Sequence, residues 1–152
     1  MIRLLLFAAI SRLLISPYGA IASGVPGTWK RTAMTLVDGN GKTTDMAQML
    51  GRTMPCMKDI IYTFTSDGHT KSTVPDACGR LKESIEHMNT EGTWTVSGHK
   101  LTVTSATKAA PPALYDISFQ GNMMTWVFNY AANPMTPNPT HAQRLTIVYQ
   151  QL

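Results

Sequence analysis

Residues 56–78 read CMKDIIYTFTSDGHTKSTVPDAC and hold both cysteines of the 152-residue chain, one at each end of the stretch. Apolar and polar side chains alternate on both sides of a single break at residues 66–68, Ser-Asp-Gly. Alternation around a glycine-containing break is typical of two antiparallel strands joined by a tight turn. With Gly68 in the left-handed position of a three-residue loop, residues equidistant from Asp67 face each other, so Phe64 lies opposite Thr70.

Cys56 and Cys78 are themselves equidistant from that turn. A ladder extended outward from the turn brings the two cysteines opposite or nearly opposite each other, close to the Cα separation of about 5.5–6 Å that a disulfide prefers. Closing a loop of this length stabilises a folded chain by about 3 kcal/mol in the chain-entropy model. The pattern predicts a disulfide between them, and two unrelated buried thiols are the alternative.

The first 22 residues have the layout of an export signal. Arg3 precedes an apolar core at residues 4–10, LLLFAAI, and Ala20-Ile21-Ala22 forms a small-x-small cleavage site. Arg12 interrupts the apolar run before it reaches the roughly 20 residues of a membrane span. We expect cleavage after Ala22, a mature domain over residues 23–152, and a secreted or periplasmic protein that does not span the membrane. In that compartment a single cysteine pair oxidises.

Alternation and turn signals predict eight strands over residues 27–151, mostly paired as hairpins with glycine-containing turns. One side of each strand is apolar and the other polar, which is typical of an antiparallel sheet with one buried face. Closing such a sheet on itself removes its exposed edges. We therefore predict an all-β fold, an eight-stranded antiparallel up-and-down barrel. Its inner face should carry Trp29, Tyr62, Phe64, Trp94, Leu101, Ile117, Trp126, Phe128 and Ile147.

Two short helical insertions are predicted in the long connections of residues 37–59 and 75–92. Thr44 and Asp76 are the expected N-terminal caps, and Gly51 is expected to end the first helix. The expected buried faces are Met46, Met49 and Leu50 in the first helix, and Leu81, Ile85 and Met88 in the second.

Charge argues against a nucleic-acid partner. Charged residues make up 14% of the chain, and the formal net charge is +4. Without Arg3 and Arg12 of the leader, eleven basic side chains face nine acidic ones. No basic run interleaves with aromatic residues, as a nucleic-acid surface would require.

No catalytic motif is legible in the sequence. No serine has the Gly-x-Ser-x-Gly context of a nucleophile elbow, and a bonded cysteine has no thiolate to act as a nucleophile. We therefore expect neither enzymatic activity nor a cofactor.

Metal binding is not expected either. The four histidines, which lack the spacing of metal ligands, are His69, His87, His99 and His141. Four methionines around Cys56 leave two interpretations open, because exported thioether clusters hold Cu(I) and flexible methionines also fill packing gaps. These methionines are Met46, Met49, Met54 and Met57.

The order of motifs along the chain resembles the bacterial lipocalin-like domain family, secreted or lipid-anchored proteins of the calycin superfamily. The matching elements are GTWK at 27–30, Cys56, YTFTSDG at 62–68, Cys78 and GTWTVSGHKL at 92–101. The resemblance implies an eight-stranded barrel that is closed near Trp29, with a cavity at its other end. Two features depart from related patterns: Tyr149-Gln150-Gln151 replaces the arginine of animal lipocalins, and no lipid-attachment cysteine follows the leader.

Binding of a small ligand inside the barrel is the function that this resemblance implies. Large aromatic side chains dominate the predicted interior, so the ligand should be mostly apolar and uncharged or weakly anionic. Arg144 and Tyr130 are candidates for a polar contact at the mouth. The candidate lining residues are Tyr62, Phe64, Trp94, Tyr115, Ile117, Trp126 and Phe128.

Two alternatives remain open. An eight-stranded barrel can instead be filled by its own side chains, and it would then act as a structural or protein-interaction module through its rim loops, as inhibitor-like barrels do. An avidin-like biotin binder also opens near a Gly-Thr-Trp, although the connections here are longer than such barrels usually have. The presence or absence of an interior cavity distinguishes ligand binding from a filled barrel.

Overall fold

A computed structural model describes residues 24–89, 92–105 and 110–152, with only the backbone of 87–89. The predicted leader, residues 1–22, lies outside the described residues. Within them, the strands are β1 Gly27–Val37, β2 Thr43–Asp45, β3 Ile61–Phe64, β4 Thr70–Thr73, β5 Thr93–Ser97, β6 Lys100–Thr104, β7 Ala113–Gln120, β8 Met123–Asn129 and β9 Arg144–Gln151. The α-helices are α1 Met46–Thr53 and α2 Lys82–Asn89, and short 3-10 helices span Pro55–Asp59, Asp76–Leu81 and Tyr130–Ala132.

The strands form one antiparallel sheet in the order β4-β3-β1-β9-β8-β7-β6-β5, with β2 paired only to the end of β1. The sheet curls until β4 and β5 meet at a single bridge between His69 and Thr93. Two further backbone hydrogen bonds support this seam, from Thr70 N–H to Gly92 O at 2.9 Å and from Trp94 N–H to Gly68 O at 2.7 Å. The predicted eight-stranded up-and-down barrel is confirmed, nearly closed and with β2 as an added short strand.

The β3–β4 hairpin has the predicted turn and register. Gly68 adopts a φ of +86°, and its N–H donates to Thr65 O at 3.0 Å. Phe64 then pairs with Thr70. Further out, Cys56 and Cys78 form a disulfide with a Cα–Cα distance of 5.3 Å. The local pattern around one turn was therefore sufficient to predict both the register and the bond.

The interior matches the predicted inner face, since eight of its nine residues are buried and Tyr62 is half-buried. One end is closed by the segment that precedes β1. Val25 is fully buried there, and its carbonyl accepts a hydrogen bond from Trp29 Nε1 at 3.0 Å. Phe119 packs beside Trp29 with ring centroids 6.4 Å apart. We call Val25, Trp29 and Phe119 the closed end.

The first helical insertion forms, but its cap and its buried face differ from the prediction. The N-cap is Asp45, whose carboxylate accepts a hydrogen bond from Gln48 N–H at 2.8 Å, because Thr44 is paired with Leu36 in β2. The helix continues past Gly51 to Thr53. Met46 and Leu50 pack against the barrel core, as expected, whereas Met49 is 46% exposed.

The second insertion is kinked at Gly79, which has a positive φ of 55° inside the 3-10 segment Asp76–Leu81, ahead of α2. This break changes the phase of the helix, so Ile85 is buried but Leu81 is 48% exposed, contrary to the prediction. Asp76 does not cap a helix either; it forms an ion pair with Lys82 at 2.6 Å. The side chain of Met88 lies outside the described residues.

The connection between β8 and β9 is held against the mouth by one amide side chain. Asn133 is buried, and its Oδ1 accepts from Leu114 N–H at 2.8 Å while its Nδ2 donates to Leu114 O at 3.0 Å and to Asn129 O at 2.8 Å. The amide acts as an additional peptide unit against β7. It fixes the loop that borders the open end of the barrel.

Candidate functional site

A cavity of about 320 Å³ lies inside the barrel, and none of the three closed-end residues lines it. Its wall includes both sides of the seam between β4 and β5, at Thr70 and Gly92. Small side chains on β6 and β7 leave the space between larger aromatic ones. The other lining residues are Tyr62, Phe64, Lys71, Val103, Thr104, Ser105, Ala110, Pro111, Ala113, Tyr115, Trp126, Ile147 and Tyr149.

Four of the seven candidate lining residues border this cavity: Tyr62, Phe64, Tyr115 and Trp126. Phe128 instead lines an adjoining pocket of about 330 Å³ at the mouth, which it shares with Tyr115. Trp94 and Ile117 line neither space and are buried in the core. Trp94 is held at the seam, where its indole N–H donates to His69 O at 3.2 Å.

Trp126 is the centre of the aromatic wall. Its ring lies 5.3 Å from Phe64, 5.1 Å from Tyr115 and 5.0 Å from Tyr149, measured between ring centroids. All three pairs are tilted by more than 50°, an arrangement that aromatic rings favour over face-to-face stacking. The cavity therefore has a stiff, mostly apolar wall.

The indole N–H of Trp126 is a buried donor for which the described residues provide no hydrogen-bond partner. The indoles of Trp29 and Trp94 both donate to backbone carbonyls. A buried donor without an acceptor costs about 1–3 kcal/mol. Trp126 is thus the one tryptophan of the three that lacks such compensation in the described part of the chain.

Three phenols share the interior with this indole. Burial raises the pKa of Tyr62, Tyr115 and Tyr149 above the ordinary value of 10.0. All three hydroxyls therefore remain protonated at neutral pH. Tyr149 was missed as a lining residue, although its alternation with Leu145 and Ile147 on the last strand was the available signal.

Arg31, a charged residue on the inner face of β1, was not among the residues predicted for the barrel interior. It pairs directly with Tyr149 of β9, and directly opposed residues project to the same side of a sheet. Its alternation with Trp29 was the sequence signal, but a charged side chain argued against an interior position. A register shift follows between Arg31 and Ala33, so that Met34 also turns inward.

Arg144 and Tyr130, the candidates for a polar contact, do not line the interior cavity. Both border a groove on the outer side of the mouth, together with Asn138 and His141. Tyr130 also lines the smaller mouth pocket beside Phe128. A polar contact to an interior ligand would have to come from other residues.

No group of His, Cys, Asp and Glu side chains in the described ranges is arranged to hold a metal ion. His69, His99 and His141 are exposed, and the side chain of His87 lies outside the described residues. Met46 packs on the barrel core and Met57 on a second cluster around Ile60 and Cys78. For these two methionines, packing against different clusters favours the gap-filling interpretation.

Two further features concern chemistry and membranes. Cys56 and Cys78 are bonded to each other, so neither is available as a nucleophile. Neither α1 nor α2, nor any other helical segment in the described ranges, has the length and apolar character that crossing a membrane requires.

Comparison with known proteins gives one match. The sequence profile of the lipocalin-like domain family covers residues 25–126, from the closed end into β8. No curated protein and no solved structure matches the chain. The profile covers more than half of the chain, and the nearly closed antiparallel barrel agrees with it. The chain therefore belongs to the lipocalin-like domain family, whose members are in general non-enzymatic binding proteins.

Proposed function

We propose that this protein binds a small, mainly apolar molecule inside the barrel. The observation that supports this most directly is the cavity of about 320 Å³, which is bordered by four aromatic side chains of the predicted interior. A barrel acting only through its rim has no need of such a space. The volume lies at the lower end of the range of about 300–1,000 Å³ for small-molecule sites, so the ligand should be compact.

The wall supports an apolar ligand for a second reason. Tyr62, Phe64, Tyr115, Trp126 and Tyr149 supply flat, largely apolar surface. Burial of apolar ligand area against them is favourable by about 25 cal/mol per Å². Their few polar atoms would orient the ligand rather than supply most of the binding energy.

Export is the second part of the proposal. The predicted leader at residues 1–22 and the disulfide between Cys56 and Cys78 support it, because disulfides persist in oxidising compartments. Mass spectrometry of the exported protein should find a chain that begins at Ser23. A mature chain that retains Met1 would contradict the proposal.

Native mass spectrometry of the protein purified from its own host tests the binding directly. We expect a co-purifying small molecule, which denaturation and extraction release. Ala113→Phe should abolish binding, because Ala113 lines the cavity and the larger ring would occupy it. Ser118→Phe is the matched control, because Ser118 is exposed on the same strand and adds the same bulk outside the barrel.

The proposal fails if the wild-type protein carries nothing and if a panel of small hydrophobic molecules leaves its melting temperature unchanged. A structural or protein-interaction role through the rim would then be the better account. Equal loss of binding in both phenylalanine variants would also contradict an interior site.

A further inference from the structure

Two segments at the mouth of the barrel carry no charge. Residues 110–115 read APPALY and residues 130–140 read YAANPMTPNPT, without an Asp, Glu, Lys or Arg in either. Asn133 joins the two segments, since its side-chain amide bonds both the N–H and the carbonyl of Leu114. Residues from both segments also line the mouth pocket of about 330 Å³. We call these two segments the uncharged rim.

Met135 projects from this rim and is 77% exposed, more than any other large apolar side chain in the described part of the chain. It is the third residue of a β-turn, which the hydrogen bond from Thr136 N–H to Asn133 O closes at 3.0 Å. Pro134 is the second residue, a position where its fixed φ favours such a turn. Because Asn133 is buried against β7, the turn presents Met135 to the outside on a rigid support.

A polar groove of about 650 Å³ adjoins the uncharged rim, and Tyr130 lines both this groove and the mouth pocket. The side chains of Arg144 and His141 are exposed in the groove. No Asp or Glu is among its lining residues. The groove therefore offers hydrogen-bond donors and a positive charge, but no carboxylate.

The guanidinium of Arg144 has no counter-ion within the described ranges, where the ion pairs all involve lysines. Asp38 lies in the turn next to the groove, since Gln143 of the groove donates to Gly39 O. The Oδ1 atom of Asp38 accepts hydrogen bonds from two backbone N–H groups of its own turn. An external anion is thus the complementary partner of Arg144, because guanidinium binds phosphate and carboxylate oxygens in bidentate geometry.

An apolar projection beside an unpaired cation matches the surface of a bilayer, where phosphates lie above apolar chains. Apolar side chains of peripheral proteins enter this boundary, and neighbouring basic side chains are attracted to anionic lipids. A protein partner matches the rim less well. Protein interfaces usually depend on large aromatic anchors, and both aromatic side chains of the rim, Tyr115 and Tyr130, are half-buried.

We propose that the open end of the barrel docks on an anionic phospholipid surface. Met135 enters the apolar side of the interface, and Arg144 binds a lipid phosphate in the groove. This role goes beyond the binding of a ligand in the interior, because it belongs to the outer surface of the mouth. Docking in this orientation brings the mouth pocket against the bilayer.

Vesicle flotation tests the docking with protein purified from its own host. The vesicles consist of phosphatidylcholine alone or with about 30 mol% of anionic phosphatidylglycerol. We expect binding to the anionic vesicles to be at least about five-fold tighter, and high salt should reduce this difference. Absence of binding to both kinds of vesicle, or equal binding to the two, would overturn the inference.

An apolar-to-charged substitution tests the projection. Met135→Asp should weaken binding to the anionic vesicles by about ten-fold or more, because a carboxylate replaces buried apolar area and is repelled by the lipid charge. Leu81→Asp is the matched control, because Leu81 is also exposed, at 48%, but lies on the second helical insertion. An equal loss in the two variants would contradict docking through the rim.

Arginine variants test the groove. Arg144→Gln should remove most of the preference for anionic vesicles, and Arg144→Lys should keep part of it. Arg80→Gln is the control, because Arg80 is an exposed arginine of the second helical insertion. A preference that survives Arg144→Gln, or that Arg80→Gln reduces as much, would overturn the assignment of Arg144.

Methyl NMR locates the contact in the wild-type protein and therefore does not depend on charge variants folding. The methionines are labelled with ¹³C at their methyl groups, and the lipid carries a spin label on its acyl chain. We expect the Met135 signal to broaden and that of Met49, which is 46% exposed on α1, to stay sharp. The two signals are assigned with Met135→Leu and Met49→Leu. Equal or stronger broadening of Met49 would contradict the proposed orientation.

The outcomes separate this inference from the proposed function. A protein that carries an interior ligand but binds neither kind of vesicle would contradict the docking alone. A protein that binds anionic vesicles through Met135 and Arg144, but carries no ligand and responds to no hydrophobic molecule, would support the docking and contradict the proposed function.

Discussion

The closed end and the cavity are built from the same kinds of residue but differ in how their polar atoms are used. At the closed end Trp29 is 2% exposed, and its indole N–H donates to Val25 O. In the cavity Trp126 is almost as buried, at 5%, but its indole N–H has no partner among the described residues. One tryptophan completes a packed core, whereas the other borders a space.

This difference separates structural from functional burial. Polar groups buried only for stability normally have partners within the protein. Among the described residues, two buried side-chain donors have no partner: Trp126 Nε1, which borders the cavity, and Ser72 Oγ, on β4 opposite Tyr62. The closed end should therefore contribute mainly to stability, and the cavity mainly to recognition.

Truncation of the two tryptophans should produce the largest contrast. Trp29→Ala should lower the free energy of unfolding by about 3–5 kcal/mol, because it leaves a void in a packed region. Trp126→Ala should cost at least about 1 kcal/mol less, since its ring already borders a cavity and its removal eliminates an unpaired donor. Urea unfolding followed by circular dichroism measures both. Equal costs would mean that the cavity wall is packed as tightly as the closed end.

Removing the disulfide should have the next largest effect. Cys56→Ser combined with Cys78→Ser should lower the free energy of unfolding by about 3 kcal/mol, because the bond links two helical insertions across a sequence separation of 22 residues. Each single variant should lose as much as the double variant, since one substitution already prevents the bond. Unfolding at the same urea concentration with and without a reducing agent would contradict this expectation.

Conservative replacement of the same two tryptophans gives a finer test. Trp29→Phe removes a buried hydrogen bond and leaves Val25 O without its donor, so it should cost about 1–3 kcal/mol beyond the lost area. Trp126→Phe removes a donor that has no partner in the described structure, so this additional cost should be absent. Thermal unfolding of the two variants provides the comparison. A larger loss for Trp126→Phe would show that its N–H is satisfied in the folded protein.

The smallest effect concerns alkaline pH and the phenols of the cavity. Burial raises the pKa of Tyr149 in the folded state above the ordinary value of 10.0, so the unfolded state releases this proton first as the pH rises. Stability should therefore be unaffected below about pH 9 and should fall above about pH 10, by at most about 1.4 kcal/mol per pH unit for each such phenol.

Urea titrations between pH 8 and pH 11 would show this decline. Tyr149→Phe is the matched variant, because it removes the hydroxyl and keeps the ring. Its stability should fall less steeply with pH than that of the wild type. An identical slope would indicate that Tyr149 ionises freely in the folded barrel.

Much of the fold could be predicted because it depends on local chemistry. The turn at Gly68 needs a residue that tolerates a positive φ, and alternation then sets the register that brings Cys56 to Cys78. The helical insertions were predicted less well. The buried face of a short helix depends on what packs beneath it, and the break at Gly79 rotated Leu81 outward.

The candidate site was predicted only in part. Tyr62, Phe64, Tyr115 and Trp126 follow from alternation, because large aromatic residues on an inner face must border whatever space remains. Alternation cannot tell which inward residues meet a cavity and which fill the core, so Trp94 and Ile117 could not be separated from them. Their position depends on the sizes of side chains contributed by several distant strands.

By itself, the sequence determined the strands, their register around the β3–β4 turn, the disulfide and the aromatic inner face, because these depend on neighbours along the chain or across one hairpin. Only the tertiary structure decided where the barrel is packed and where it leaves about 320 Å³. It also decided that Arg31 of β1 lies beside Tyr149 of β9, a pairing of residues from the two ends of the barrel sequence. The physical reason is that barrel closure brings together strands that are distant in the chain, and the space left between them depends on side chains from all of those strands.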